Sequence, residues 1–200
     1  MRNEFYGDKR DLVKWGSLLH LAELHNIKLI LFAAYLRPDR TSLHLNVSRS
    51  RTHQTIPLPD TVWRHFRNLH NMHELGRAAG ITIDIFDDLF QDREDYTRRL
   101  IKWIEHHPNR KIVFLDPDNG LSPQHPDLKH VKPDEIAQIH GAMESGDILV
   151  LYQHARRTKT WLEDTRNEFA RAVDADPESI VTIHSPGVSD VAFFAAAKPP

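Results

Sequence analysis

The chain of 200 residues contains no cysteine. That single absence excludes disulfides, thiolate metal sites, Fe–S clusters and a cysteine nucleophile. Long apolar runs are lacking too. None approaches the roughly 20 residues needed to cross a bilayer, and the mean hydropathy is -0.51. No charge of one sign dominates: 26 lysines and arginines face 28 aspartates and glutamates, for a net charge of -2. This excludes a generally basic nucleic-acid coat and still allows a local basic patch. Met1 to Arg10 is polar and charged, without the apolar segment of a secretory signal, so the expected location is cytoplasmic. Several motifs are missing as well: G-x-x-x-x-G-K-[ST], G-x-G-x-x-G, G-x-S-x-G and H-E-x-x-H.

What is present is an ordinary globular composition, 40% hydrophobic and 27% charged, with ample length for a core. Apolar runs alternate with amphipathic segments. Asp8 to His25 carries a helical stripe of Leu12, Leu18, Leu19, Leu21 and Ala22, and Asp8 suits the cap. Ile27 to Leu36 reads as a strand buried on both faces. A helix over about Thr61 to Ala79 is stopped by Gly80. Strands are predicted at Ile81–Phe86, Lys111–Leu115 and Asp147–Tyr152, and helices at Arg93–His107, Pro133–Glu144 and Trp161–Val173. Strands at Ile180–Ile183 and Val191–Ala197 flank Ser185-Pro186-Gly187, too close for a crossover helix, so they should pair antiparallel. Helices between the other strands argue for parallel βαβ units. The expected architecture is a single α/β domain over residues 1–200, three-layered with a mainly parallel sheet, a C-terminal antiparallel hairpin and an insertion or basic loop around 37–60.

In such sheets ligands bind beyond the carboxyl ends of the strands. Asp116-Pro117-Asp118-Asn119-Gly120 follows one buried strand, and Gln153-His154 followed by Arg156 ends the next. Two acids bracketing a proline at a strand end point to a site, although the same residues also form tight turns. A third cluster is Gly7-Asp8-Lys9-Arg10-Asp11 with Lys14; Asp8, Asp11 and Lys14 share a helix face. It is expected to fold back on the sheet rim, so that Asp11→Ala or Lys14→Ala reduces ligand binding with little loss of stability. The fourth feature is basic: Arg37, Arg40, Arg49, Arg51, Arg64 and Arg67, opposed by only Asp39 and Asp60. Arginine's planar fork suits phosphate, which makes nucleic acid a candidate partner and a solvated loop the alternative.

The run Gly7-Asp8-Lys9-Arg10-Asp11-Leu12-Val13-Lys14-Trp15 resembles the G-N-x-x-D-V-x-K-H segment of ribosomal RNA adenine-N6 methyltransferases, which belong to the Rossmann-like, S-adenosylmethionine-dependent superfamily. Asp116-Pro117-Asp118-Asn119 sits where that family carries [DNS]-P-P-[YFW], and the last two strands look like the hairpin closing its sheet. The chain looks closer still to a set of bacterial proteins with G-D-x-x-D-x-x-K near the start and D-P-D-N-G-L in the middle. The resemblance implies that Lys14 helps position S-adenosylmethionine, with Asp8 and Asp11 beside it, and that Asp116 accepts a hydrogen bond from the target amine. It departs from the family after the first strand, where Ala33-Ala34-Tyr35-Leu36-Arg37-Pro38 replaces a glycine-rich turn. It departs again at Asp118 and Asn119, neither of which can stack on a base. Lys14 with Asp84, or Asp87, would then hold the cofactor's carboxylate and ribose.

Two enzymatic readings follow. One is a methyltransferase-like enzyme acting on nucleic acid, with Asp116, Asp118, Asn119 and His154 at its centre. The other is a nuclease or phosphoesterase in which Asp116 and Asp118, with Asp8 or Asp11, bind Mg²⁺ or Mn²⁺. There His154 serves as base and Arg156 or Lys9 steadies a phosphate. A catalytically dead domain that binds a nucleotide or a partner is the third reading.

Overall fold

The computed structural model describes residues 9–37, 44–49, 52–57, 69–121 and 126–200. Its central sheet holds β1 (Leu29–Ala33), β4 (Thr82–Phe86), β5 (Ile112–Leu115), β8 (Ile148–His154), β9 (Val181–Ser185) and β10 (Val188–Ala197). The order across the sheet is β4-β1-β5-β8-β10-β9. Neighbours from β4 to β8 are parallel. β10 runs antiparallel to both β8 and β9. The chain steps from β1 outward to β4 and then returns across β1 to β5. The order therefore reverses between β1 and β5, which is where an open α/β sheet forms a crevice.

Continuous apolar runs make the inner strands because both of their faces are covered. Alternate residues point to opposite faces. Leu31, Val113, Leu115, Leu149 and Leu151 pack in one cluster with residues of α3 (Arg93–Glu105), α4 (Pro133–Gly141) and α5 (Trp161–Ala172). Ile30, Phe32, Ile112, Phe114 and Val150 pack in the other with Trp15, Leu18 and Leu21 of α1 (Lys9–Leu24) and Met72 of α2 (Met72–Ala79). The parallel strands, the helices and the C-terminal antiparallel pair follow the sequence expectation.

The differences have local causes. The first strand ends at Ala33 rather than Leu36, because Tyr35 turns to φ 47. α2 starts at Met72 after a 3-10 turn over Leu69–Asn71 and ends at Gly80, whose φ of 68 suits a glycine; residues 61–68 of the expected helix lie outside the described residues. Within the expected basic loop, β2 (His44–Arg49) and β3 (Thr52–Pro57) pair antiparallel as a separate two-stranded sheet. The C-terminal hairpin places its second strand inside, between β8 and β9. A short parallel pair, β6 (Gly120–Leu121) with β7 (His130–Val131), had no counterpart in the sequence reading.

Candidate active site

Helix α1 buries a single stripe: Asp11, Lys14 and Trp15, Leu18, then Leu21 and Ala22. The helical period that sends the leucines into the core thus carries Asp11 and Lys14 onto the same surface one and two turns earlier. Lys14 Nζ donates to Asp11 Oδ1 at 2.8 Å and to Asp116 Oδ2 at 2.9 Å. The side chains of Lys14 and Asp116 are 6% and 4% exposed. Lys14 Nζ also stands 5.7 Å from the centre of the Tyr152 ring. The helix start does fold back against the sheet rim, and it does so as a buried ion cluster.

One ammonium thus stands between two buried carboxylates. Burial pushes the Asp116 carboxyl above its ordinary value, with Lys14 opposing the rise and Asp11 adding to it. Burial also works to lower the Lys14 pKa, but Asp116 and Asp11 outweigh it and hold the ammonium protonated. The expectation that Lys14→Ala spares stability meets a buried cluster here. Lys14→Ala withdraws the ammonium from between two buried carboxylates, and a loss of about 3–5 kcal/mol is expected.

Asp118 is engaged by another cation, Arg37, at 2.5 Å, and the Arg37 side chain is only 7% exposed. Arg37 therefore faces inward and is not one of a row of exposed phosphate contacts. Arg40, Arg51, Arg64, Arg67 and Asp8 lie outside the described residues, and for Arg49 only the backbone is described. Asp84 sits inside β4 opposite Leu31, where its carboxylate meets His107 Nε2 at 2.9 Å. It is not at the rim; Asp87, just beyond the strand, is.

Asn119 is a structural junction. Its carbonyl accepts from His154 N–H at 3.2 Å and from Gln153 Nε2 at 2.8 Å, so the two sequence clusters are hydrogen-bonded neighbours. Arg156, read as a phosphate contact, makes a two-pronged pair with Glu168 of α5 at 2.9 and 2.8 Å. Asn119, Leu121, His130, Gln153, His154, Ala155 and Arg156 line a cleft of about 360 Å³ at the ends of β5 and β8. A second cleft of similar volume lies between the start of α1 and the β9–β10 turn, lined by Lys9, Arg10 and Gly187 to Asp190. Asp190 connects the two: Arg10 Nε donates to it at 3.1 Å, and His154 Nε2 stands 3.9 Å away. Asp127, His130 and Asp190 were not found from sequence, and nothing in their local pattern marks them.

Beyond the first strand, the turn is closed. The Ala34 N–H donates to Phe86 O at 3.1 Å and the Tyr35 N–H to Tyr96 Oη at 3.2 Å. The buried Tyr35 ring packs against Phe90 and Tyr96, with ring centres 5.0 and 4.9 Å away. Among the described residues no three His, Asp or Glu side chains gather as a metal-ligand group. No protein-family model matches the chain, and no curated protein matches it significantly.

Proposed function

We propose that this chain is a methyltransferase-like enzyme acting on nucleic acid, with a narrowed cofactor place. The observation that carries the reading is the 2.9 Å contact of Lys14 with Asp116. The two segments that resemble the family lie 102 residues apart in the chain and meet beside the reversal of strand order. The three-layer Rossmann-like arrangement belongs to the same reading: a packed cluster covers each sheet face, and the last strand is inserted antiparallel beside β8. Asp116 Oδ2 is taken by Lys14, so Oδ1 is the atom that would accept from a target amine.

S-adenosylmethionine fits this rim only in part. A glycine-rich turn holds the cofactor's amino-acid end through open backbone N–H groups. Here the N–H groups of Ala34 and Tyr35 are spent within the protein, and aromatic rings occupy the turn. In this reading Asp87, just beyond β4, would meet the ribose. Bound, the cofactor would supply an electrophilic methyl group; the chain's own part is to orient the amine through Asp116. The metal-dependent alternative is less well supported, because Asp11 and Asp116 share Lys14 and Asp118 pairs with Arg37.

The test combines thermal shift with transfer of labelled methyl groups to RNA and DNA. The expected outcome is a shift with millimolar S-adenosylmethionine, larger with nucleic acid present, and methyl transfer lost in Asp116→Asn. At 100-fold excess over Kd a native-state ligand adds about 2.7 kcal/mol. No shift and no transfer, with or without nucleic acid, would remove the reading. A clear shift with Mn²⁺ alone would favour the phosphoesterase.

A further inference from the structure

The cleft at the ends of β5 and β8 holds two imidazoles, each beside its own carboxylate. His130 Nδ1 lies 2.6 Å from Asp127 Oδ1. A carboxylate only accepts, so Nδ1 carries the proton and Nε2 presents the lone pair. That lone pair faces Asn119 Nδ2 at 3.4 Å, a long contact that an incoming hydroxyl can replace. His154 Nε2 faces Asp190 Oδ2 at 3.9 Å, an ion pair when the imidazole is protonated. The hydrogen bond from Arg10 lowers the Asp190 carboxyl from its ordinary value, which favours its negative form. The two histidines lie 24 positions apart, on β7 and at the end of β8, and line the same cleft of about 360 Å³. That volume suits one nucleotide-sized group.

The described residues that line this cleft include no serine, threonine, lysine or tyrosine, and the chain has no cysteine. The described lining thus offers a base and an acid and no hydroxyl, amine or thiol of its own. A substrate that carries its own nucleophile suits such a pair. Among nucleic acids, RNA alone brings one, the 2′-hydroxyl beside each phosphodiester.

We infer that this cleft is a metal-independent acid–base site for RNA strand cleavage, with His130 as base and His154 as acid. This rests on the nucleic-acid part of the proposed function and is separate from any methyl transfer. His130 Nε2 takes the 2′-hydroxyl proton as the O2′–P bond forms. The P–O5′ bond breaks, and O5′ receives the proton of the His154 imidazolium. The products are a strand ending in a 2′,3′-cyclic phosphate and one beginning with a 5′-hydroxyl. Proton exchange with water restores both histidines, so no further reactant enters.

The experiment uses the full chain, EDTA, and an end-labelled single-stranded RNA of mixed sequence with its DNA and 2′-O-methyl copies. The expected result is cleavage of the RNA alone, with a cyclic-phosphate end seen by mass spectrometry on the wild-type products. His130→Gln and His154→Gln should each slow cleavage by about 100-fold or more, with RNA binding by fluorescence anisotropy and Tm unchanged. Asp127→Asn, at a largely exposed position, should slow cleavage less and folds regardless of the histidine variants. RNA binding without cleavage overturns this inference and leaves the nucleic-acid reading in place; no binding to RNA or DNA overturns both. Cleavage that persists in the double His→Gln variant, or that EDTA abolishes and Mg²⁺ restores, also overturns it.

Discussion

His140 in α4 shows what one buried group does to the chain. Its Nε2 is buried and has no hydrogen-bond partner among the described residues. Burial, with help from the charge of Lys198, pushes its pKa down to about 4, against 6.5 for a free imidazole. Between those values the unfolded chain takes up a proton that the native chain refuses. Stability should therefore be complete above pH 6.5, fall as pH drops towards 4, and level off below. The share due to His140 is at most about 3 kcal/mol. Denaturant unfolding of wild type and His140→Leu across pH 7 to 4 measures it. The variant should lose less stability over that window, and equal losses in the two proteins would disprove the assignment. The Lys14 cluster differs in kind: there burial is offset by partners, so its charge persists.

At the scale of an element, the side chain of Gln153 ties the short strand β6 and its neighbours to β8. Gln153 Oε1 accepts from Leu121 N–H at 2.8 Å, while its Nε2 donates to Asn119 O and His154 O, both at 2.8 Å. The close approach requires Gly120. Its φ is 93, and a Cβ there would lie 2.8 Å from Gln153 Cα. Backbone of the central sheet cannot yield as a side-chain tip can. Gly120→Ala is therefore expected to destabilise by about 2–3 kcal/mol, measured by urea unfolding. It should also displace Asn119 and His130 and impair any activity of the cleft. A variant as stable as wild type would mean that the loop accommodates the methyl group and that Gln153 does not fix it.

Across the whole molecule, both ends of the sheet carry buried ions. At the amino ends of β5 and β8, Lys111 Nζ meets Asp147 Oδ2 at 2.7 Å with both side chains essentially inaccessible. Asp147 also accepts from the N–H groups of Lys111 and Glu144, at 3.0 and 2.9 Å. Asp147→Ala should cost about 3–5 kcal/mol, and Lys111→Met with Asp147→Leu should recover part of that loss. Ligand binding at the opposite rim should not change in the double variant, which separates structural charge from site charge. A single variant no worse than the double would refute the ion-pair account. The alternating strands and helices were legible in the sequence because apolar periodicity follows from local chain geometry. For the same reason, KIVFL followed by Asp116 placed a polar cluster at a strand end. The helix start was expected at that rim, but the individual partners were not legible. Lys14 finds Asp116 across 102 residues and Arg10 finds Asp190 across 180. The insertion of β10 beside β8 brings Asp190 to His154, and strand register draws Asp84 away to His107. Those partnerships depend on the order of strands in the sheet, which long-range packing decides and local periodicity does not encode.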